Sequence, residues 1–147
     1  MKKYLLIGFA LMTVIFVSAF PLKKVDEKVL RSFQEIFPDA QEVSWGEMPG
    51  TYIVNFTEHG IRTRITFHKD GSFAGSYRYY GEQHLPLQLL FSLKRKFPNQ
   101  KIFGVTEVSS EDAIEYIIKM EDSRRWMTVH MDSIGQTEVL EKLNKIK

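Results

Sequence analysis

The sequence predicts an α+β fold of two tandem repeats, each a helix followed by a four-stranded antiparallel sheet. Two apolar patterns of helical period occur sixty residues apart, and both end in Phe-Pro. Each is followed by short runs in which apolar and polar residues alternate, as in strands with one buried face. The predicted units are a signal peptide (1–19), a first repeat (20–80) and a second repeat with a C-terminal helix (81–147).

The composition fits a folded protein and excludes several classes. Of the 147 residues, 44% are hydrophobic and 13% aromatic, which is ample for a packed core. The absence of cysteine excludes disulfide scaffolds, thiolate metal sites and cysteine nucleophiles. Removing residues 1–19 takes away two of the 20 basic residues and none of the 18 acids, so 18 of each remain. A neutral mature chain has no general attraction to nucleic acid or to an anionic membrane.

The first 19 residues have the three regions of a secretory signal peptide. Lys2 and Lys3 precede an apolar run from Tyr4 to Val17, and the small residues Ser18 and Ala19 follow. We therefore expect cleavage near Ala19 and a periplasmic or secreted mature chain. The alternative is an uncleaved membrane anchor, because the apolar run approaches the length of a membrane span.

Apolar residues at helical spacing predict the two helices, and alternation of period two predicts four strands after each. Pro38 and Pro98 end the helices, and glycines mark the turns at Gly50, Gly60 and Gly71. The predicted helix positions are Val25, Val29, Leu30, Phe33 and Phe37, then Leu85, Leu89, Leu90, Leu93 and Phe97. The strand residues expected to face the helices are Val43, Trp45, Tyr52, Val54, Phe56, Thr63, Ile65, Phe67, Phe73, Gly75, Tyr77 and Tyr79, then Phe103, Val105, Tyr116, Ile118, Met120, Met127 and Val129.

The C-terminal segment is predicted to be helical. Val139, Leu140, Leu143 and Ile146 lie at helical spacing within residues 138–147. We therefore expect the last strand to be short and to run into this helix.

A Thr-x-His-x-Asp motif occurs in both repeats, at 66–70 and at 128–132. The favoured interpretation is that it shapes the same hairpin turn in each copy, and the alternative is a zinc site or a pH switch. The four histidines of the chain are otherwise scattered, so we expect no metal and no cofactor.

No catalytic signature is found in the sequence. It has no G-x-S-x-G elbow and no glycine cluster before a helix, and acid pairs such as Glu111 and Asp112 lie in a predicted loop. We therefore expect a protein that is not an enzyme. The alternative is a hydrolase with its site between the repeats, recognisable by a deep pocket that holds acids with displaced pKa values.

Together these features resemble a known family of proteins. The secretion signal, the repeat of about sixty residues, the Phe-Pro-Asp and Phe-Pro-Asn helix ends (37–39 and 97–99) and the Thr-x-His-x-Asp motif are similar to the beta-lactamase-inhibitor-like, PepSY-like family of bacterial periplasmic proteins. The resemblance covers Val25 to about Leu140. It implies the fold of the beta-lactamase inhibitory protein, whose concave sheet surface grips an enzyme. The absence of disulfides here is a departure from that inhibitor.

The sheet face that points away from the helices is the candidate binding surface. If Thr63 and Ile65 face a helix, alternation turns Arg62 and Arg64 to the other side. Arginine and aromatic side chains supply most binding hot spots, whereas the alternative is an ordinary solvated face. The side chains predicted to share this face and bind a partner are Arg62, Arg64, Arg78, Tyr80, Arg124 and Trp126.

A protein or peptide is the expected partner, because PepSY-type domains are linked with restraining peptidases and the fold offers an open sheet. An acidic partner is favoured, since guanidinium groups pair with carboxylates in a bidentate manner. No nucleic acid is expected, and no membrane beyond the signal peptide. The predicted function is therefore that of a secreted or periplasmic, non-enzymatic binding module. Its narrower form is inhibition of a peptidase or hydrolase. A structural envelope protein without a discrete ligand is the remaining alternative.

Expression of the full chain should yield a periplasmic or secreted product that begins at Phe20, because signal peptidase reads the small residues that end at Ala19. Cell fractionation followed by intact-mass measurement tests this expectation. A product that retains residues 1–19 in the cytoplasm or in the membrane fraction would contradict it.

Overall fold

One antiparallel sheet of eight strands, with both helices on one of its faces, forms the body of the protein. A computed structural model describes residues 25–146. The predicted signal peptide and its cleavage site lie outside this range. Within residues 25–146, no helix is both long and apolar enough to cross a membrane.

The order of one helix followed by four strands occurs twice along the chain. The first half contains α1 (Glu27–Ile36), β1 (Gln41–Met48), β2 (Thr51–Glu58), β3 (Ile61–His68) and β4 (Phe73–Tyr80). A 3-10 turn at Glu82–His84 leads into the second half, which contains α2 (Leu87–Lys96), β5 (Lys101–Ser109), β6 (Ile114–Glu121), β7 (Arg125–Asp132) and β8 (Thr137–Asn144). The two predicted helices are confirmed.

The two halves share a single sheet, whereas the sequence predicted a sheet for each repeat. Each strand pairs with the next in chain order. β4 pairs with β5 from Ser76 opposite Ser109 to Tyr80 opposite Val105. This β4–β5 seam therefore joins the halves through main-chain hydrogen bonds.

Each helix ends where its local sequence requires. Asp26 caps α1, and its Oδ1 accepts a hydrogen bond of 2.8 Å from the Lys28 amide. Both helices stop at a phenylalanine that precedes a proline, Phe37-Pro38 and Phe97-Pro98, because proline disfavours helical backbone in the residue before it.

Two apolar clusters lie between the helices and the sheet. In the first, the Phe33 ring of α1 lies 5.3 Å from Trp45 and 5.1 Å from Phe56. The buried members of the first cluster are Val25, Val29, Phe33, Tyr52, Val54, Phe56, Ile65 and Phe67. Those of the second are Ile61, Tyr80, Leu85, Leu89, Leu93, Ile102, Val105, Tyr116, Ile118, Met120, Met127, Val129 and Met131.

The predicted C-terminal helix is wrong, because Thr137–Asn144 form the edge strand β8. Neighbouring residues of β7, Thr128 and Val129, pair with Glu141 and Val139, so Leu140 is an extra residue in a β-bulge. The bulge accounts for an apolar spacing that mimics a helix. β8 gains hydrogen bonds to β7 even though Leu140 and Leu143 stay exposed.

A bulge also overturns the predicted orientation of Phe103. In β5, Ile102 pairs with Met120 and Gly104 with Lys119, so Phe103 has no partner across the strand. The Phe103 side chain is exposed and does not face a helix as predicted.

The two histidine motifs are not structurally equivalent, although the sequence predicted that they shape the same turn. Tyr52 pairs with Phe67 in the first half as Tyr116 pairs with Met131 in the second, which sets an offset of 64 residues. His68 therefore corresponds to Asp132, and the turns after both residues have the same main-chain hydrogen bonds.

Replacing Leu93 by alanine should lower the free energy of unfolding by about 2–5 kcal/mol, because the Leu93 side chain has 0% exposure and its loss leaves a cavity. Phe91→Ala on the same helix is the matched control. Phe91 is 68% exposed, so its loss should change stability by about 0.5 kcal/mol or less. Urea denaturation of both variants measures this, and equal losses would contradict the assigned helix face.

Candidate functional site

The sheet face opposite the helices, here called the outer face, carries a group of arginines and tyrosines. In β3, Arg62 and Arg64 alternate with buried residues. Arg62 lies opposite Tyr79 and Arg64 opposite Tyr77 in β4, and residues that lie opposite each other share a face. These four side chains are called the arginine–tyrosine patch.

The sequence predicted that Arg78 and Tyr80 lie on the outer face, and this prediction is wrong because both lie on the helix face. Phe67 pairs with Phe73 and the adjacent Thr66 with Gly75, so Ala74 is an extra residue in a β-bulge. One extra residue reverses the face of every later side chain in the strand. Tyr77 and Tyr79 consequently point to the outer face, with 43% and 38% exposure, and were wrongly predicted to face the helices.

The two guanidinium groups of the patch have no acidic partner. Arg64 donates from Nε to Asn55 Oδ1 at 2.8 Å, and Arg62 Cζ lies 5.7 Å from the centre of the Tyr79 ring. Neither forms an ion pair with any carboxylate among residues 25–146. Two positive charges that form no ion pair in the described part of the chain therefore lie beside exposed aromatic rings.

A shallow depression adjoins the patch on the side of β1 and β2. Its volume is about 400 Å³, and Arg62, Arg64, Tyr79, Asn55 and Glu42 are among the residues that line it. Glu42 accepts a hydrogen bond from Thr57 at 3.3 Å. The depression is wide enough to accept a side chain of a partner, with donors from two arginines along one wall.

The other two predicted residues lie away from the patch. Trp126 is on the outer face near the start of β7, where it pairs with Glu121 and Leu143, away from the patch. Its ring contacts Phe103 edge-on at 5.1 Å, and Lys145 Nζ lies 4.6 Å from the ring centre. Arg124 is in the turn between β6 and β7 rather than in a strand. The structure brings Arg62 and Arg64 together and leaves these two outside the patch.

A polar network occupies the helix face at the β4–β5 seam. Glu107 accepts hydrogen bonds from Arg78 at 3.1 Å and from the Tyr80 hydroxyl at 2.5 Å. Burial, and then the hydrogen bond to Glu107, raise the pKa of Tyr80 well above its usual range. Burial and the nearby Glu107 charge also raise the pKa of Tyr116, which lies opposite Glu107. Sequence alternation alone did not reveal this network, because it placed Arg78 on the outer face.

Carboxyl groups with displaced pKa values lie in hairpin turns. Hydrogen bonds from the Ser72 hydroxyl and amide lower the pKa of Asp70, and the Arg124 amide does the same for Asp122. A cavity of about 450 Å³ lies on the helix face beside Arg78, and neither of these acids lines it. Among the described residues, no three or more histidine or acidic side chains converge as metal ligands would.

Comparison with known proteins shows likeness in fold. The chain matches no protein-family model and no curated protein sequence. It is similar to the crystal structure of a BLIP-like protein from Bacteroides fragilis NCTC 9343, with a TM-score of 0.59, 13% identity, and coverage of 82% of this chain and 86% of that one. A DUF2874 family protein from Bacteroides ovatus ATCC 8483 matches with a TM-score of 0.58, 18% identity and coverage of 82% and 88%.

A third similar structure is described as one of the "putative periplasmic proteins" of Bacteroides eggerthii DSM 20697. It has a TM-score of 0.57, 17% identity, and coverage of 82% of this chain and 89% of that one. These identities are low, so the likeness shows the fold alone. The sequence resemblance implied the fold of the beta-lactamase inhibitory protein (BLIP), and this fold is thus supported.

Replacing Tyr80 by phenylalanine should make stability less sensitive to alkaline pH. The folded protein favours the neutral phenol, so Tyr80 contributes stability below its unfolded pKa of about 10 and loses it as pH rises toward the higher folded pKa. Urea denaturation between pH 8 and 11 should show a shallower decline for Tyr80→Phe than for the wild type. Tyr79→Phe, on the outer face, is the control and should keep the wild-type slope; equal slopes for all three proteins would contradict the assignment.

Proposed function

We propose that the mature chain is a secreted or periplasmic, non-enzymatic module that binds a protein or peptide through its outer face. The arginine–tyrosine patch carries this proposal. It exposes aromatic rings and guanidinium groups that form no ion pair with any described residue, on a face that no described helix covers. Such side chains dominate binding energy at protein interfaces.

The chemistry of the patch favours a partner that presents carboxylates. Arg62 and Arg64 can each donate two parallel hydrogen bonds to one carboxylate, and Tyr77 and Tyr79 add apolar contact around them. On the outer face of the second half, Lys119 lies 3.9 Å from Glu141, whereas neither arginine of the patch forms an ion pair within residues 25–146. Binding should therefore centre on the patch, with Trp126 outside it.

The fold comparison supports the location and the class of this proposal. One similar structure is described as periplasmic and another as BLIP-like, and the likeness in fold to each covers 82% of this chain. Inhibition of a peptidase or hydrolase is the narrower form of the proposal and rests on the PepSY-like and inhibitor-like resemblance of the sequence. Fold alone does not carry a function from one protein to another.

A capture experiment with the mature chain tests the patch. Residues 20–147 are immobilised and exposed to periplasmic and secreted proteins of the producing organism, and the captured proteins are quantified by mass spectrometry. Arg62→Ala with Arg64→Ala should reduce capture of a specific partner by about tenfold or more. Raising the salt concentration should weaken the same interaction, because exposed charge pairs are screened.

A matched control removes the same charge from the helices. Arg31→Ala with Arg95→Ala also deletes two exposed arginines, one on each helix, and should leave capture unchanged. Thermal denaturation of both double variants checks that they fold, since exposed substitutions change stability by only about 0.5 kcal/mol. Equal loss of capture in the two variants, or none in either, would contradict recognition by the patch.

A further inference from the structure

The cavity on the helix face is lined mainly by apolar side chains, together with a few polar ones. It lies between the end of α1 and strands β3 and β4, and its volume of about 450 Å³ falls within the range of about 300–1,000 Å³ typical of small-molecule sites. Its apolar lining residues are Ile36, Phe37, Phe56, Ile61, Ile65, Phe67 and Phe73, and its polar lining residues are Glu58, His59, Thr63, Ser76 and Arg78.

Two hydroxyl groups that line the cavity have no hydrogen-bond partner in the described part of the protein. Thr63 and Ser76 are each only 8% exposed, and both line the cavity. Neither side chain makes a hydrogen bond to another group within residues 25–146. Both hydroxyls are open to the cavity and not fully enclosed, so they are available to form hydrogen bonds to a ligand there.

The guanidinium group of Arg78 lies next to these hydroxyls in the strand pairing. Arg78 is directly opposite Thr63, and it is two residues from Ser76 on the same face of β4. One guanidinium nitrogen donates to Glu107 at 3.1 Å, and the group has further N–H donors. Both Glu107 oxygens are engaged, one by Arg78 and the other by Tyr80, so this carboxylate is not available to a ligand.

We propose that the cavity binds a small amphipathic carboxylate, such as a linear acyl chain of about ten carbons. Arginine can only donate hydrogen bonds and the two hydroxyls can donate them, so a head group that only accepts satisfies all three. A carboxylate is such a group, and the positive charge of Arg78 favours it. The acyl chain lies against the apolar wall that includes Ile65, Phe67 and Phe73.

The apolar wall supplies most of the affinity. Glu107 already balances the charge of Arg78, so the carboxylate gains less there than beside an unpaired arginine. The affinity should accordingly rise about fourfold for each methylene added from hexanoate to decanoate. For decanoate we expect a Kd on the order of 10–100 μM.

Isothermal titration of the mature chain with decanoate, below its micelle concentration, tests the proposal. Decylammonium has the same chain with the opposite charge and should bind at least about tenfold more weakly. Equal affinity for the two probes would overturn the assigned head-group site. Absence of decanoate binding up to millimolar concentration would overturn the proposal altogether.

A pair of nearly isosteric substitutions separates binding from folding. Thr63→Val with Ser76→Ala removes both hydroxyls and leaves the Arg78–Glu107 pair intact. Decanoate affinity should fall about tenfold, while the urea midpoint stays close to that of the wild type, because neither hydroxyl is bonded to another group within residues 25–146. A purely structural role would not produce this divergence. Unchanged decanoate affinity in the double variant would contradict the proposal.

A matched control makes the same chemical changes on the outer face. Thr106 lies opposite Tyr79 and Ser44 lies opposite Asn55, so both residues face away from the cavity. Thr106→Val with Ser44→Ala should leave decanoate binding unchanged. Because the cavity and the arginine–tyrosine patch are on opposite faces, failure of one proposal leaves the other standing.

Discussion

The arrangement of the whole sheet depends on the pairing of Glu107 with Arg78 and Tyr80 across the β4–β5 seam. Glu107 is the acidic group at the centre of the helix face, and its two oxygens accept one hydrogen bond from each partner. A slip of one residue would turn Glu107 to the outer face and leave Arg78 without its counter-charge. The Glu107 side chain is only 12% exposed, so loss of the pair would leave a largely buried carboxylate without its counter-charge. The seam thus sets the register that joins two apolar clusters into one protein.

That register also divides the chemistry between the two faces. The bulge at Ala74 sends Tyr77 and Tyr79 to the side of Arg62 and Arg64, and it sends Arg78 to the side of the helices. The outer face of the first half consequently has two arginines without ion pairs to described residues beside exposed rings, whereas the helix face has the Arg78–Glu107 ion pair beside a cavity. One face is suited to a charged macromolecular surface and the other to a small amphipathic ligand.

The edges of the sheet have features that discourage pairing with another chain. β1 contains a register shift near its start, where Glu42 has a φ of 54°. β8 has its own bulge at Leu140, followed by the charged Glu141 and Lys142. Bulges and charges at a sheet edge oppose the addition of further strands. This favours recognition through the faces of the sheet over recognition through its edges.

The sequence by itself determined the two helices, their ends at Phe37 and Phe97, the four strands after the first helix and the first three after the second, because periodicity and proline act locally. It also predicted that Arg62 and Arg64 lie on the outer face, where the structure has them, since β3 is regular up to Thr66. An isolated glycine within a strand often marks a bulge, and Gly75 and Gly104 were the available signals for those in β4 and β5. Only the tertiary structure decided the faces beyond each bulge and the strand at 137–144. Both depend on hydrogen bonds to a neighbouring strand, which local spacing does not encode.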